Sequence, residues 1–422
     1  MKVALAVAVA MFGAVAVLSA EPLTLKARAV DARFQSAVTM LSEGRVKEAD
    51  ALFVEILNDD PTQLQAALGR ASIAMSQERV ADADRAISMV LSKRPEMAEA
   101  HNMKGVLLLL KKQPDAARAA FTQATKLNPA YVTPHVHLGM IARVQGDFAT
   151  AASEYDTLIN LAPRLAVGYI GKAEVLMMKR DSAGAYKVLN AWKAADPKSV
   201  LAHHVLANVY AAEKNPKAAM DELNAALAKA PKNTTTLVAL GDLHAASGQW
   251  KPAMDRYLEA TAADPKDPTA ELRLGDAWIA QGNRGNALAT YRRVLSTHPD
   301  NAVANNNVAW LMMDDPKGRV EALQLARAAT KADPTYEDAF DTLGWIHYRQ
   351  GQFPEAVTAL QKAKSLGGGR PDISAHLGLA LAKAGRNKEA LTELTFALSK
   401  GGPNLPDRAE VEKTVTALGA KP

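Results

Sequence analysis

The stretch Thr234–Asp267, TTTLVALGDLHAASGQWKPAMDRYLEATAADPKD, decides the fold. Leu237, Leu240, Gly241 and His244 recur at helical spacing and give its first half one face for burial. The periodicity breaks at Ser247-Gly248, and Trp250, Ala253, Tyr257 and Ala260 mark a second helix by the same rule. Pro265 ends that helix, because the residue before a proline is pushed out of the helical region. Gly241 and Ala253 are small enough for the two helices to approach closely, and Trp250 and Tyr257 supply most of the area to be buried. Two helices of about 14 residues cannot bury both faces alone, so such units are stable only when stacked.

Working outward, the same unit returns along almost the whole chain. Pro61, Pro95, Pro129, Pro163, Pro197, Pro231, Pro265 and Pro299 follow one another at intervals of 34, and Pro334 comes after 35. Small residues keep the same beat. Gly105, Gly139, Gly241, Gly275, Gly344 and Gly378 fall in the first helices, and alanines such as Ala117, Ala151, Ala253 and Ala287 in the second. This pattern of Leu-Gly, aromatic, Ala, aromatic, Ala and Pro resembles the tetratricopeptide repeat family. The resemblance implies an all-α fold: a right-handed superhelical solenoid of about eleven helix-turn-helix repeats. It specifies the fold strongly and the function weakly, since such a scaffold serves many partners. The repeats are expected to start near residues 30, 64, 98, 132, 166, 200, 234, 268, 302, 337 and 371, so that the solenoid spans 30–401. Residues 402–422 are expected to form a linker and a C-terminal capping helix, PDRAEVEKTVTAL (406–418), over the final open face. The first two repeats are degenerate, with Ala37 and Ala71 where others have glycine, as terminal repeats often are.

Residues 1–20 stand outside the repeat. Lys2 precedes the apolar run Val3–Leu18, then Ser19-Ala20 and Glu21-Pro22, which reads as a secretory signal peptide cut near Ala20, or after Ser19 or Ala16. The alternative is an uncleaved anchor, since the run is just long enough to span a membrane. Residues 21–29 read as a tether. The expected location is therefore periplasmic, or the inner membrane facing the periplasm if the segment is retained, the only case in which a membrane is involved. With no cysteine in the chain there is no lipid-bearing residue and no disulfide. A net charge of +5, from 50 basic and 45 acidic residues without a clustered basic face, gives no reason to expect nucleic acid.

No catalytic motif appears: no HExxH, P-loop, GxSxG or cysteine-based metal pattern. The run Gly367–Gly369 lacks the preceding strand that a phosphate loop needs and reads as an inter-repeat turn. His101, His135 and His203 share the fourth position of their repeats and are expected to be core or half-buried. The neighbouring pairs His203-His204 and His135/His137 point to different faces and cannot jointly hold a metal. Asp242 and Asp276 are one repeat apart, about 10 Å, too far to share a proton. No enzyme activity, metal or cofactor is expected.

In the family resembled, positions 2, 5, 9, 12 and 13 of each repeat line the concave face. Position 9 reads Val38, Ser72, Val106, Met140, Glu174, Asn208, Asp242, Asp276, Trp310, Trp345 and Leu379, a polar ladder followed by two tryptophans. The neighbouring positions add His204, Asn306, Met313, Asp338, Asp341, Tyr348 and Arg349. The resemblance thus implies a groove holding a protein or peptide partner, with Glu174, His204, Asn208, Asp242, Asp276, Asn306 and Asp341 pairing with backbone or basic groups. Trp310 and Trp345 would grip an apolar or sugar ring, with Tyr348 and Arg349 beside them in the groove. The plainer reading is that the tryptophans pack between repeats. Trp192, which replaces an alanine in its second helix, is expected in the core. A carboxylate clamp of the kind used by chaperone-binding members needs a lysine and an asparagine, and His204/Asn208 supplies no lysine. The segment Asn305–Ala356 is similar to repeats of proteobacterial envelope proteins tied to exopolysaccharide export and exosortase-type sorting, which implies a scaffold of polysaccharide-export machinery or envelope assembly. The other expectations are a regulatory or delivery subunit of an envelope enzyme, or a direct glycan-binding module.

Overall fold

The computed structural model describes residues 25–419, and within them the chain forms 23 helices and no strand. It divides into two compact units, one ending at Leu206 and the other beginning at Ala207. In the first, α1 (Leu25–Ser42) pairs with α2 (Val46–Asp59), α3 (Leu64–Ser76) with α4 (Val80–Lys93), α5 (Ala98–Leu110) with α6 (Pro114–Leu127), α7 (Val132–Val144) with α8 (Phe148–Leu161), and α9 (Ala166–Met178) with α10 (Ser182–Ala195). The boundary falls within α11 (Val200–Ala212), which precedes α12 (Pro216–Lys229). The second unit continues with α13 (Thr234–Ala246) and α14 (Trp250–Ala263), α15 (Thr269–Ala280) and α16 (Arg284–Thr297), and α17 (Ala302–Met312) and α18 (Arg319–Ala332). It closes with α19 (Glu337–Arg349) and α20 (Phe353–Gly367), α21 (Pro371–Lys383) and α22 (Asn387–Gly401), and the single helix α23 (Arg408–Ala417). Within each unit every hairpin packs on the next, and first helices of consecutive hairpins also touch, as α7 does α9 and α17 does α19. The result is a solenoid-like stack of helix pairs. One boundary differs: α1 begins at Leu25, so residues 25–29 are helical, where a tether was expected. Residues 1–20, the expected signal peptide or anchor, lie outside the described residues.

The repeat's small and large positions meet as the spacing predicts. Tyr257 is buried on α14, and its ring fills the space that a side chain at Gly241 would need. The same holds for Tyr291 at Gly275, while a methyl added at Gly105 would sit 2.5 Å from the Phe121 ring. In the last two hairpins Leu360 and Leu394 replace the ring, facing Gly344 and Gly378. Trp250 is only half-buried, so the tyrosine dominates the burial in this repeat. Trp192 is fully buried and stacks on Tyr169 at 5.9 Å.

The hairpin turn is a left-handed helix stop. Gln249 N donates to His244 O at 2.9 Å and Gly248 N to Ala245 O, with Gly248 at φ +71°. The equivalent residues are Gly44, Gly146, Gly282, Gly351 and Gly385, but Glu78, Lys112, Arg180 and Lys214 hold the same conformation without being glycine. In four of the hairpins the fourth residue of the first helix links it to the preceding turn. His101 Nε2 lies 2.7 Å from Pro95 O, His135 Nε2 3.2 Å from Pro129 O, Tyr169 Oη donates to Pro163 O at 2.9 Å, and Asn305 Nδ2 to Pro299 O at 2.8 Å. Three residue types thus do one job, satisfying the carbonyl left at the end of the previous helix. That accounts for His101 and His135 as structural groups. The capping helix α23 buries Val411 and Val415 against the last hairpin.

Candidate functional site

The repeat brings two of the expected residues, Asp276 and Trp310, into one cavity of about 220 Å³ in the second unit. Asp276 lies on α15 and Trp310 on α17, and Ile279, Arg284, Tyr291, Asn307 and Leu311 complete the lining. Trp310 is 36% exposed and Ile279 41%, so the cavity has an open apolar rim. Asp276 forms its polar wall, accepting a hydrogen bond from Tyr291 Oη at 2.6 Å. Arg284 stays on the rim with its guanidinium 3.3 Å from Leu311 O.

One hairpin earlier the same arrangement is repeated, with Tyr257 Oη donating to Asp242 at 2.8 Å. Arg273 stands between the two carboxylates, 3.4 Å from Asp242 and 3.7 Å from Asp276. Burial first, and then the facing carboxylate, raises the pKa of both phenols. Tyr336 is raised to about 12, by burial and then by Asp338, Asp276 and Glu337. Burial first, and the neighbouring carboxylates second, hold these three phenols protonated. These tyrosines and Arg273 were missed by the sequence reading. The signal was present as the common separation between Asp242 and Tyr257 and between Asp276 and Tyr291, 15 residues in each case.

The remaining expected residues divide. Asn208 is exposed in the second unit. In the first, Glu174 is exposed and lies 3.4 Å from Arg143, and His204 is half-buried, its pKa lowered by burial and then by His203. Four residues are not available as an open surface. Trp345 is 2% exposed, and Asp341, Tyr348 and Asn306 are also buried. The expectation that Trp345 grips a ligand and that Tyr348 lines the groove beside it is corrected accordingly. Trp345 lies between Tyr348, stacked at 4.6 Å, and His376, stacked at 4.1 Å. Asp341 faces His376 Nδ1 at 2.9 and 3.0 Å, and Tyr348 Oη donates to Glu410 of the capping helix at 2.7 Å. The cause is the cap. Position 9 is open only where the next hairpin leaves the groove uncovered, and here α21 and α23 close over it. Asn306 is turned inward, its Nδ2 donating to Asn307. Arg349 is exposed and paired with Asp314 at 3.0 Å.

A larger cleft of about 590 Å³ is lined by Gly44–Glu48, Ser76 and Gln77, and two of its charged residues, Arg45 and Glu48, pair with each other. Among the described residues no His/Asp/Glu group is arranged to hold a metal ion, and no helix is long and apolar enough to cross a membrane.

Stacked hairpins with an open, one-side-chain pocket define a helical-repeat binding protein. Models described as "Tetratricopeptide repeat" match residues 68–132, 111–166, 320–372 and 342–406, then 210–274, then 269–301, together more than half the chain. The chain belongs to the tetratricopeptide repeat family, and by that fold it is a protein–protein interaction scaffold. It is 36% identical over 89 residues to the TPR repeat-containing protein PA4667 of Pseudomonas aeruginosa, a match covering 21% of this chain and 15% of that one. Among solved structures it is similar to yeast Tom70, with a TM-score of 0.50, 17% identity and coverage of 90% and 92% of the two chains. The Cut9–Hcn1 assembly of the APC/C gives a TM-score of 0.48 at 11% identity, covering 92% and 96%.

Proposed function

We propose that this protein is a non-catalytic scaffold of the bacterial cell envelope whose second unit holds a segment of a partner protein at Trp310 and Asp276. The observation that carries this is an indole left more than a third exposed beside a carboxylate and an amide, in a cavity the size of one side chain. An exposed tryptophan over a small apolar pocket is the residue type that dominates binding energy at interfaces. Asp276 and Asn307 offer acceptors and a donor to a peptide backbone. The envelope placement rests on the apolar run Val3–Leu18 between Lys2 and Glu21, read as an export signal or an inner-membrane anchor. Within the envelope, the similarity of Asn305–Ala356 to repeats of exopolysaccharide-export proteins favours a role in organising that machinery or envelope assembly.

Affinity capture from the native envelope fraction, with wild-type chain against Trp310→Ala and Asp276→Asn, tests this reading. Stoichiometric partners retained by wild type and lost from both variants are expected. Equal recovery by all three refutes the pocket. The same indole and carboxylate also suit a sugar ring, and saturable heat with oligosaccharides that Trp310→Ala abolishes would favour direct glycan binding.

A further inference from the structure

The single helix α23 does more than close the end of the stack. Val411 and Val415 are buried against the last hairpin, α21 and α22, which is the ordinary work of a terminal helix. Its polar contacts reach further back. Glu410 accepts from Tyr348 Oη on α19 at 2.7 Å, and Asp407 stands 3.7 Å from Nε2 of His376 on α21. A hydrogen bond between neighbouring hairpins, such as that of Asp341 with His376, spans 35 residues. The bond from Tyr348 to Glu410 spans 62 and passes over a whole hairpin. The helix therefore leans from the end of the stack across Tyr348 and Leu379, both buried, whereas Trp310 stays open.

The seat is covered without being filled. A cleft of about 560 Å³ lies between α23 and the first helices, with Tyr348, Leu379 and Ala382 on one wall and Ala409, Lys413 and Ala417 on the other. Well-packed interiors leave few voids larger than a water molecule. His376 Nε2 is buried without a hydrogen bond, since 3.7 Å to Asp407 is too long for one. Asp407, the residue that begins α23, sits in the left-handed region at φ +51° and makes no capping bond. The link 402–407 holds two prolines and a glycine at φ +62° and joins α23 to α22 without a helical turn of its own. A helix of ten residues does not persist alone in water, so leaving the seat and unfolding are one event for α23.

We infer that α23 is a tethered, self-inhibiting occupant that withholds Tyr348, His376 and Leu379 until a partner segment of the same chemistry displaces it. The chemistry is set by what α23 presents. Asp407, Val411 and Val415 follow one another at intervals of four with Glu410 beside them, so two carboxylates and two β-branched side chains share one stripe. A displacing segment offers an acceptor to Tyr348 Oη, an acid to His376 and an apolar pair to the last hairpin. The short tether keeps α23 at an effective concentration on the order of millimolar. A rival's apparent affinity is therefore reduced by the fraction of chains in which α23 has lifted. This control is separate from the Trp310 pocket, and neither reading depends on the other.

The test offers the chain its own helix in trans, as a fluorescent peptide of residues 404–419 followed by anisotropy. The full chain is compared as wild type, as Val411→Asp/Val415→Asp, which evicts α23, and as the milder Glu410→Ala. The peptide should bind the double variant about tenfold more tightly than wild type or better, and Glu410→Ala by a smaller gain of the same sign. Adding Tyr348→Phe to the double variant should weaken binding several-fold, and a scrambled peptide should not bind. Hydrogen exchange should show α23 opening in both variants while α19, α21 and α22 keep their protection. Equal affinity of the peptide for wild type and both variants, or equal binding of the scrambled peptide, would overturn the inference. So would loss of protection in α21 and α22 when α23 is evicted, which would make it an integral part of the terminal hairpin.

Discussion

The buried imidazole of His376 makes the stability of the C-terminal end depend on pH with a defined sign. Burial alone would lower its pKa, but Asp341 against Nδ1 and Asp407, 3.7 Å from Nε2, outweigh it and raise the pKa to about 9 from 6.5. The folded chain then binds this proton more tightly than the unfolded chain. The contribution is complete below pH 6.5, declines between 6.5 and 9, and is gone above 9. A shift of that size corresponds to roughly 3 kcal/mol. At the acid end Asp407, whose pKa is lowered chiefly by its contact with His376, works in the opposite sense, its contribution being lost as pH falls through its depressed value. The assay is hydrogen exchange in α23, together with urea unfolding of the second unit, at steps from pH 6 to 10. The difference between wild type and His376→Gln isolates this group from His135, whose pKa is also raised, first by Glu154. Wild type should lose roughly 3 kcal/mol over that range. His376→Gln should be less stable by about 3–5 kcal/mol at neutral pH, because it leaves Asp341 charged and buried, and should show no such decline. A flat wild-type profile, or one that the variant shares, would refute the reasoning.

Four further substitutions test the repeat itself. Gly241→Ala places a methyl in the Tyr257 ring and should destabilise by about 1–3 kcal/mol in thermal or urea unfolding, with Gly248→Ala failing for a different reason, its φ of +71°. Glu78→Gly should stabilise the chain by roughly 0.5 kcal/mol, the relief of a left-handed side chain less the extra freedom of glycine when unfolded. Trp192→Ala removes a fully buried indole stacked on Tyr169 and should cost about 3–5 kcal/mol, read from the unfolding of the first unit.

The fold was legible because one proline beat and one Gly–aromatic pairing recur, and each copy constrains the others. The pairing of the helices, the close Gly–aromatic contacts and the burial of Trp192 all follow from spacing and bulk. The site was only partly legible. Position 9 says which residues project from the first helices, and it brought Asp276 and Trp310 to the pocket. It does not say where the groove is open. Trp310 and Trp345 are equivalent by sequence, yet the last hairpin and α23 close over Trp345 and leave Trp310 exposed, a difference set by what lies above each. The electrostatic partners were hidden for a related reason. Tyr257, Tyr291 and Arg273 reach the carboxylates from other helices or other positions, so a reading along one face of one helix passes over them.

The central claim is that partners dock at the open indole of the second unit, and site-specific photo-crosslinking tests it most directly. A benzophenone amino acid placed at Ile279 or at Trp310 should capture one envelope protein at a defined peptide. The same probe at Val320, 71% exposed and away from the pocket, should not. Capture of the same protein with equal yield from Val320, or no capture from Ile279 and Trp310 while the chain still co-purifies with a partner, would contradict it.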